Sequence, residues 1–431
     1  MRYSPLSSSL YQKNRAKLYS KLPPKSVVLL ASNDIMPTNA DGTMGFVQNS
    51  DLFYLSGLDQ EESFLLLYPD APESQYKEIA FVKETSELIA IWEGKKYTKE
   101  EAQKLSGIDN IQWNSTIDQF LKTLLFTADY VFVLENEHIR NSSEVETQND
   151  RWIKSLKSKY KSLEYKRLAP LLNEIRMVKE EEEINQMQKA IDITEQGFRR
   201  VLNYTKAGVM EYEIEAEFIH EFIKSASGGF AYTPIIASGP NSCVLHYIEN
   251  ENICKDGDVL LLDVGAKYGN YNADMTRTIP VNGKFTTRQK QVYQAVLDVL
   301  KYATNILKPG IFWVDYQKEV ERYMEGKLID LGLFTREDVE KQNPTSPLFK
   351  KYFMHGVAHH LGIDVHDVWN KYLPIQEGMI LTCEPGIYIR EEGLGIRLEN
   401  NLLVTKDGNI NLMQHIPIEI EEIEELMNKR K

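Results

Sequence analysis

The stretch Val259-Leu-Leu-Leu-Asp-Val-Gly-Ala-Lys-Tyr-Gly-Asn-Tyr-Asn-Ala-Asp-Met-Thr-Arg-Thr-Ile-Pro-Val281 contains two strand-like runs that flank the turn residues at 268–270. This pattern predicts a β-hairpin in which each strand carries one aspartate, Asp263 or Asp274. If the two-residue loop consists of the first two turn residues, the aspartates lie directly opposite each other. If it consists of the last two, they are diagonal neighbours on the same face, because side chains alternate with period 2. Both registers bring the two carboxylates together.

Two like charges on one face of a hairpin are destabilising unless a cation lies between them, so Asp263 and Asp274 predict a metal site. The stretch 379–400 repeats the pattern, with Glu384 and Glu399 on either side of a turn. Both separations along the chain are odd, so both hairpins can present their carboxylates on one face. We expect a cleft lined by four acidic groups, with one hairpin from each half of a pseudo-symmetric domain. The alternatives are a turn-capping and a surface aspartate in the first hairpin, and a strand-end surface glutamate in the second.

Four of the eight histidines of the chain fall in one segment, His355-Gly-Val-Ala-His-His-Leu-Gly-Ile-Asp-Val-His-Asp367. Histidines scattered through a core or a surface rarely concentrate in this way, so the segment predicts a site in which one imidazole binds metal. His355 and His359 share one face if the segment is helical, although the two glycines within it indicate that the helix is short or absent. A fifth histidine, His246, follows a Gly-Pro turn, and its own context favours a satisfied core histidine.

Length and composition limit the classes of protein. A chain of 431 residues exceeds the size at which one hydrophobic core keeps growing, so we expect two domains. The formal net charge of -13 would repel a phosphate backbone, which argues against nucleic acid as a partner. Three cysteines without paired spacing predict a reducing compartment. The N-terminal residues lack an apolar signal core and no apolar run approaches roughly 18 residues, so we expect a cytoplasmic protein without a membrane partner.

The apolar runs predict two domains of different class. Short runs alternate with helix-compatible stretches such as 98–105 in the first part of the chain, which predicts an α/β domain. Examples of these runs are 27–31, 64–68, 79–82 and 130–134. After a polar region, helical periodicity is interleaved with strand-like segments, which predicts an α+β domain. The helical patterns lie at about 178–205, 211–226, 287–307 and 314–331, with an acidic amphipathic helix at the C-terminal end. We place the boundary near residue 170, which gives domains at 1–170 and 171–431.

Several motifs together resemble one family. They are Asp-Val-Gly at 263–265, Asp-Met-Thr-Arg-Thr at 274–278, the histidine segment at 355–367, Glu-Pro-Gly-Ile-Tyr at 384–388 and Gly-Ile-Arg-Leu-Glu at 395–399. They resemble the pita-bread metallopeptidases, and within them the Xaa-Pro aminopeptidases, also called aminopeptidase P. The stretch 46–57 resembles the creatinase-type N-terminal domain that this family shares with prolidase. The resemblance covers most of the chain and implies a creatinase-type α/β domain followed by an α+β pita-bread catalytic domain.

The resemblance also assigns metal ligands at matching positions. The implied ligands are four carboxylates and one imidazole: Asp263, Asp274, His359, Glu384 and Glu399. One ion would be held by all of these except Asp263, and the other by Asp263 together with the bridging residues Asp274 and Glu399. Asn400 departs from the pattern, because relatives often carry a second acid after the ligand glutamate. This departure leaves the ligand set intact.

Further positions match residues that contact substrate or support the metals. The implied catalytic residues are Glu384, His246, His355, His366 and Arg397, and the implied substrate-binding residues are His246, His366 and Tyr388. For His246 this replaces the interpretation as a core histidine. Because the scissile bond to proline has no N–H, recognition must use the ring shape and the carbonyl oxygens.

Four carboxylates and one imidazole form an oxygen-rich ligand set without thiolate. This type of ligand suits manganese better than zinc, although zinc has the higher affinity for most sites. We therefore expect two divalent metal ions, Mn²⁺, as the cofactor. Two such ions about 3.5 to 4 Å apart can lower the pKa of a bridging water toward about 7, so the expected nucleophile is a metal-bridging hydroxide. Glu384, implied to bind one ion only, is the expected general base and then general acid.

The resemblance implies that the substrates are peptides with proline at the second position. Prolidase, which cleaves only Xaa-Pro dipeptides, shares the ligand set and is the alternative enzyme. Catalytically silent pita-bread binding modules usually lose ligands, and none is missing here. Relatives form dimers or tetramers in which a neighbour's loop reaches the active site, so we expect a homodimer or homotetramer. Trp92-Glu-Gly94 resembles that loop, with an ordinary partly buried aromatic as the alternative for Trp92.

Overall fold

The computed structural model describes residues 3–429, which form two compact units. The first unit is Pro5–Arg176, and the second consists of the other described residues, 3–4 and 177–429. The sequence places the boundary near residue 170, whereas the chain contacts place it after Arg176. The difference is the helix Ala169–Arg176. Two ion pairs hold this helix in the first unit, Lys21 with Glu174 at 2.7 Å and Arg176 with Asp51 at 2.6 Å.

The first unit is a mixed β-sheet with helices packed on it. Its helices are α1 (Ser8–Tyr19), α2 (Ser50–Ser56), α3 (Glu87–Glu93), α4 (Lys99–Ser106), α5 (Ile117–Leu124), α6 (Gln148–Lys159) and α7 (Ala169–Arg176). Its strands are β1 (Ser26–Ala31), β2 (Phe64–Leu67), β3 (Glu78–Val82), β4 (Asn110–Trp113), β5 (Tyr130–Val133) and β6 (Glu164–Arg167). They lie in the order β4-β3-β2-β1-β5-β6, with β2 antiparallel to its neighbours and the other pairs parallel.

This sheet forms because its central strands are continuous apolar runs. Every residue of β1 is buried, and Val27 and Leu29 pack in one cluster with Leu121 of α5 and Ile153 of α6. Burying one such aliphatic side chain contributes about 1.5–3 kcal/mol. A capping box at Thr98 begins α4, where the sequence predicts a helix. The predicted α/β class of this unit is confirmed.

The second unit combines long helices with small antiparallel sheets. Its helices are α8 (Glu181–Tyr204), α9 (Glu211–Lys224), α10 (Thr287–Ile306), α11 (Trp313–Asp330), α12 (Arg336–Lys341) and α13 (Ile420–Asn428). Its strands are β7 (Gly229–Phe230), β8 (Ile235–Ser238), β9 (Val259–Val264), β10 (Ala266–Tyr268), β11 (Tyr271–Asn272), β12 (Met275–Pro280), β13 (Ile380–Cys383), β14 (Gly386–Ile389), β15 (Leu394–Arg397), β16 (Asn400–Val404) and β17 (Asn409–Asn411). The sheets have the orders β11-β10-β7, β12-β9-β8, β13-β16-β17 and β14-β15.

Helical periodicity explains the long helices of this unit. In α10 the buried residues Val292, Val296, Leu300 and Ala303 recur three or four positions apart and form one apolar stripe. The predicted helical patterns correspond to α8, α9, α10 and α11, with ends shifted by no more than about one turn. The acidic end helix is α13. Among residues 3–429, no helix is long and apolar enough to cross a membrane.

Candidate metal centre

The first hairpin, residues 259–280, reverses at a two-residue loop formed by Gly269 and Asn270, whose φ angles are 56° and 66°. Positive φ at both positions is typical of a type I′ turn, which matches the twist of paired strands. The register that follows pairs Thr276 with Asp263, so Asp274 is the diagonal neighbour of Asp263 on the same face. Of the two registers that the sequence left open, the second is confirmed.

Gly265 interrupts the first hairpin opposite Asp274. A Cβ atom on Gly265 would lie 1.8 Å from the carbonyl oxygen of Ala273, so only glycine allows this approach of the two chains. At the interruption, Asp274 N–H donates to Asn401 Oδ1 at 3.2 Å, and Asn401 Nδ2 donates to Asp274 O at 2.6 Å. The backbone of Asp274 is therefore fixed by a residue that follows the second carboxylate pair.

The second hairpin, residues 380–404, brings Glu384 and Glu399 opposite each other. The ladder between β13 and β16 and the ladder between β14 and β15 share one register, and the two glutamates lie at the interruption between them. This is the arrangement that the odd separation predicts. Glu399 N–H donates to Thr276 O at 3.0 Å, which joins the second hairpin to the first.

His359 reaches the carboxylates from an extended segment and not from a helix. Thr382 N–H donates to His359 O at 2.9 Å and His359 N–H donates to Thr382 Oγ1 at 3.0 Å, so the segment runs beside β13. The helical arrangement considered from the sequence is therefore wrong. Nδ1 of His359 lies 2.9 Å from His360 O, and donation there leaves Nε2 as the free nitrogen. That Nε2 lies 3.4 Å from Asp274 Oδ2 and 3.8 Å from Glu384 Oε1.

Asp274, His359 and Glu399 form the centre of the cluster, with one ligand atom of each within 4.8 Å of the others. All three side chains are buried. Thr276 Oγ1 donates to Glu399 Oε2 at 2.8 Å, whereas Glu399 Oε1 is buried and has no hydrogen-bond partner within residues 3–429. A buried acceptor without a donor costs about 1–3 kcal/mol, and more when it is charged. A divalent cation would satisfy this oxygen, so the residues present fit a metal ion with oxygen-rich ligands.

The pKa shifts of the cluster have the same physical cause. Burial raises the pKa of Glu399 well above its usual range, and the carboxylates of Asp274 and Glu384 add to the shift. Burial raises the pKa of Glu384 to about 7, although His359 opposes the shift. Burial likewise raises the pKa of Asp263. A cation among these groups favours their charged forms and would reverse the shifts.

Tyr232 is a site residue that the sequence analysis missed. Its hydroxyl lies 2.6 Å from Oδ1 of Asp263 and 2.6 Å from Oδ1 of Asp274, so it links the two aspartates of the first hairpin. Burial, with the charges of both aspartates, raises the pKa of Tyr232 further above its usual range, which keeps the hydroxyl protonated. The chain has 23 tyrosines, and no local pattern distinguishes this one.

A chain of hydrogen bonds runs from Asp263 to His355. Arg397 Nη2 pairs with Asp263 Oδ2 at 2.5 Å, and Arg397 Nη1 donates to the Tyr388 hydroxyl at 2.8 Å. Because a guanidinium can only donate, the Tyr388 O–H donates in turn to His355 Nε2 at 2.8 Å. His355 Nδ1 then donates to Gly356 O at 2.8 Å. Burial, followed by the charge of Arg397, lowers the pKa of His355 to about 4, which keeps the ring neutral.

The remaining predicted residues differ in their exposure. Tyr388 is 0% exposed, so the structure places it behind His355, and its role as a substrate contact stays a prediction. His366 is exposed, with its ring edge-on to that of His359 at 4.4 Å between centroids. His246 is also exposed, so the core interpretation of this histidine is wrong.

Two hairpins that gather carboxylates around the imidazole of His359, with Asp263 joined to them through Tyr232, are typical of a metal-dependent hydrolase. Residues 185–406 match the family model described as Metallopeptidase family M24, and residues 11–132 match the model described as Aminopeptidase P, N-terminal domain. The chain belongs to metallopeptidase family M24, and within it to the aminopeptidase P group. The predicted fold, a creatinase-type domain followed by a pita-bread domain, is confirmed.

Individual relatives agree with this assignment. The Xaa-Pro aminopeptidase of Haemophilus influenzae is 34% identical over 434 residues, which cover 97% of each chain. A Bacillus anthracis structure provisionally named aminopeptidase P matches with a TM-score of 0.92 and 34% identity over 99% of both chains. The zinc-substituted Escherichia coli aminopeptidase P in complex with product matches with a TM-score of 0.89 and 31% identity, over 98% of this chain and 99% of that chain. The family resemblance drawn from the motifs is confirmed.

Proposed function

We propose that this chain is an Xaa-Pro aminopeptidase, a metal-dependent enzyme that hydrolyses the bond between the first residue of a peptide and a following proline. The observation that carries the proposal is the convergence of Asp274, His359 and Glu399, with Glu384 beside them, in a chain of this family. The relatives named above carry this activity in their names. Those names favour it over prolidase, the dipeptide-specific alternative.

The cofactor that we propose is a pair of divalent ions, with Mn²⁺ as the working metal. One ion would be held by Asp274, His359, Glu384 and Glu399, and the other by Asp263, Asp274 and Glu399. The buried Glu399 oxygen without a donor and the raised pKa values of the carboxylates support this assignment. When bound, the ions supply Lewis-acid polarisation of the scissile carbonyl and an acidified water.

Glu384 is the residue to which we assign proton transfer. Its Oε1 lies 3.8 Å from His359 Nε2 and its Oε2 lies 4.0 Å from His355 Nδ1, so its two oxygens have different neighbours. Hydrolysis adds water to the carbonyl carbon, breaks the C–N bond and leaves a proton on the nitrogen. Glu384 takes a proton from the attacking water and delivers it to the proline nitrogen.

Substrate recognition is assigned to the exposed histidines of the site. His246 and His366 have accessible rings, and an imidazole N–H can donate to a peptide carbonyl where the proline nitrogen offers no N–H. Arg397, Tyr388 and His355 act behind them as one hydrogen-bonded row that starts at Asp263. In this assignment the hydroxyl of Tyr388 orients His355.

The assembly that we propose is a homodimer or homotetramer in the cytoplasm. Helix α3 exposes Leu88, Ile91 and Trp92 at 67%, 76% and 83%, and exposed apolar side chains in a group mark contact surfaces. A partly buried aromatic, the alternative for Trp92, does not describe this residue. Cys243, Cys254 and Cys383 are free and buried, which suits a reducing compartment.

The test is hydrolysis of a matched pair, an Xaa-Pro dipeptide and an Xaa-Pro-Yaa tripeptide, by the Mn²⁺-loaded protein. We expect release of the first residue from the tripeptide, and its loss in Glu384→Gln. Glu391→Gln is the matched control, because Glu391 lies in the same hairpin but pairs with Lys351 at the surface. Cleavage of the dipeptide alone would identify a prolidase. No cleavage of either peptide despite bound metal would overturn the proposal.

A further inference from the structure

The carbonyl group of His360 orients the imidazole of His359. His359 Nδ1 donates to His360 O at 2.9 Å, which directs Nε2 toward Asp274 and Glu384. The same carbonyl accepts the backbone N–H of Asp367 at 2.9 Å. The direction of the imidazole therefore depends on where Asp367 is held.

Asp367 lies in the loop of residues 361–373, which contains neither helix nor strand. Its carboxylate forms an ion pair with Lys179 at 2.7 Å, and the two side chains are only 2% and 1% exposed. Lys179 is fixed in turn, because its N–H donates to Gly378 O at 2.9 Å just before α8 begins. The ion pair thus connects the loop behind His359 to the start of a long helix.

The ion pair is packed tightly against the backbone of this loop. A Cβ atom on Gly362 would lie 2.2 Å from Asp367 Oδ2, so there is no free space between the carboxylate and the chain. On the other side, Asn272 Nδ2 donates to Ile363 O at 2.7 Å. Because the loop is held on both sides, a shift of Asp367 would disturb the hydrogen bond that its N–H donates to the carbonyl of His360, the acceptor of His359 Nδ1.

We propose that Lys179 and Asp367 are positioning residues for the imidazole of His359, and that their ion pair sets the metal affinity of the centre. The inference rests on the proposed function, since it takes His359 as a metal ligand. A buried ion pair adds little net stability over an apolar pair of the same shape, so stability alone does not account for it. The loss of an outer partner that orients a metal ligand typically lowers metal affinity by about 10- to 100-fold.

The experiment compares Asp367→Asn with Asp51→Asn in the full-length, metal-free protein. Asp51 forms an ion pair with Arg176 at 2.6 Å in the first unit, with side chains 15% and 2% exposed, so its variant controls for the loss of a largely buried ion pair elsewhere in the chain. Mn²⁺ affinity is measured by calorimetric titration, and the visible absorption of bound Co²⁺ reports the ligand geometry. We expect Asp367→Asn to bind Mn²⁺ about 10- to 100-fold more weakly with a changed Co²⁺ spectrum, and Asp51→Asn to match the parent.

Thermal unfolding without metal establishes whether each variant is folded. If Asp367→Asn does not fold, the double variant Lys179→Met with Asp367→Asn removes both charges, and the same loss of affinity is expected. Parent-like Mn²⁺ affinity in a folded variant, or an equal loss in Asp51→Asn, overturns the positioning role whatever happens to the melting temperature. If the parent chain itself binds no divalent ion, the proposed function fails and this inference fails with it.

Discussion

The two hairpins of the second unit present the same number of carboxylates but neutralise them differently. In the first hairpin, Asp263 and Asp274 share the hydroxyl of Tyr232, and Asp263 also pairs with Arg397. In the second hairpin, Glu399 has one oxygen bonded to a threonine hydroxyl and the other without a partner among the described residues. Protein groups therefore balance much of the charge of the first hairpin, whereas the second depends on a cation. Metal dependence should be concentrated in the second hairpin.

Neutralising Glu399 should have the largest effect. Glu399→Gln removes a ligand that both proposed ions share, so kcat/KM for an Xaa-Pro tripeptide should fall by about 1000-fold or more, because several kcal/mol of metal polarisation are lost. In the metal-free protein the same change should raise stability by about 1–3 kcal/mol, because the raised pKa of Glu399 means that folding at neutral pH must either bury its charge or bind a proton, and glutamine does neither. Steady-state kinetics and thermal unfolding of the metal-free protein measure the two effects.

Mn²⁺ should stabilise the parent chain by about 2.7 kcal/mol at 100 times its Kd, and stabilise Glu399→Gln far less. If the variant keeps this stabilisation, the cation is bound mainly by the first hairpin and the comparison is reversed. If the metal-free variant is less stable than the parent, the carboxylate of Glu399 is already satisfied by the protein.

Changing Asp263 should have a smaller effect than changing Glu399. Asp263 lies outside the group of three whose ligand atoms all fall within 4.8 Å, and it belongs to only one of the proposed ion sites. Asp263→Asn should lower the bound Mn²⁺ from two ions to one and reduce kcat/KM by about 100-fold, because one ion remains to polarise the carbonyl. Equilibrium dialysis with metal analysis gives the stoichiometry. Loss of both ions would mean that the two hairpins contribute equally.

Much of the first unit could be predicted because its central strands are continuous apolar runs. The run at 64–68 corresponds to β2 and the run at 79–82 to β3. Strands β4 and β6 were not predicted; they are the two edges of the sheet and have partly polar sequences. An edge strand needs no continuous apolar pattern, since only one side of it is paired. Helix α6 was also missed, because it buries few apolar side chains, Ile153 and Leu156 among them.

Some features of the site could likewise be predicted because they depend on local sequence, whereas others depend on contacts between distant segments. The pairing of Asp263 with Asp274 could be narrowed to two registers because the turn that sets it is local, at Gly269 and Asn270. The extended backbone at His359 could not be predicted, because it depends on hydrogen bonds to β13, which follows later in the chain. Tyr232 could not be predicted as a site residue for the same reason, because only the fold brings its hydroxyl to the aspartates.

A substitution at Gly265, where the two chains approach closely, should have an effect of intermediate size, and this effect is on stability. Gly265→Ala places a Cβ atom 1.8 Å from the carbonyl oxygen of Ala273, so the two chains must separate, which should destabilise the protein by about 1–3 kcal/mol. The matched control is Gly326 in α11, where a Cβ atom meets nothing within 4 Å. Gly326→Ala should stabilise by about 0.5–1 kcal/mol through helix propensity. Chemical denaturation measures both, and a neutral Gly265→Ala would show that the first hairpin is not rigid at its interruption.

The smallest effect is expected at the tip of the second hairpin. There the chain turns through Arg390–Glu392, and Glu392 accepts from Arg288 Nε at 2.8 Å and from Nη2 at 2.7 Å. The hydrogen bond from Arg288 lowers the pKa of Glu392, so the stability that it contributes is present near neutral pH. It is lost as the pH falls through the lowered pKa of Glu392. Glu392→Gln should therefore destabilise by about 0.2–1 kcal/mol at neutral pH, less at high salt, and converge with the parent in acid.

Catalytic activity and Mn²⁺ affinity should not respond to Glu392→Gln, and measuring them checks that its effect is limited to the tip. The strands of the second hairpin share one register from the tip to Glu384 and Glu399, and that register is fixed by backbone ladders and not by the tip. We therefore expect kcat/KM and Mn²⁺ affinity to be unchanged in Glu392→Gln. If Mn²⁺ affinity falls, the position of the tip is transmitted to the carboxylates. The second hairpin would then depend on its turn as much as the first depends on Gly269 and Asn270, and the contrast between the two hairpins would be one of charge alone.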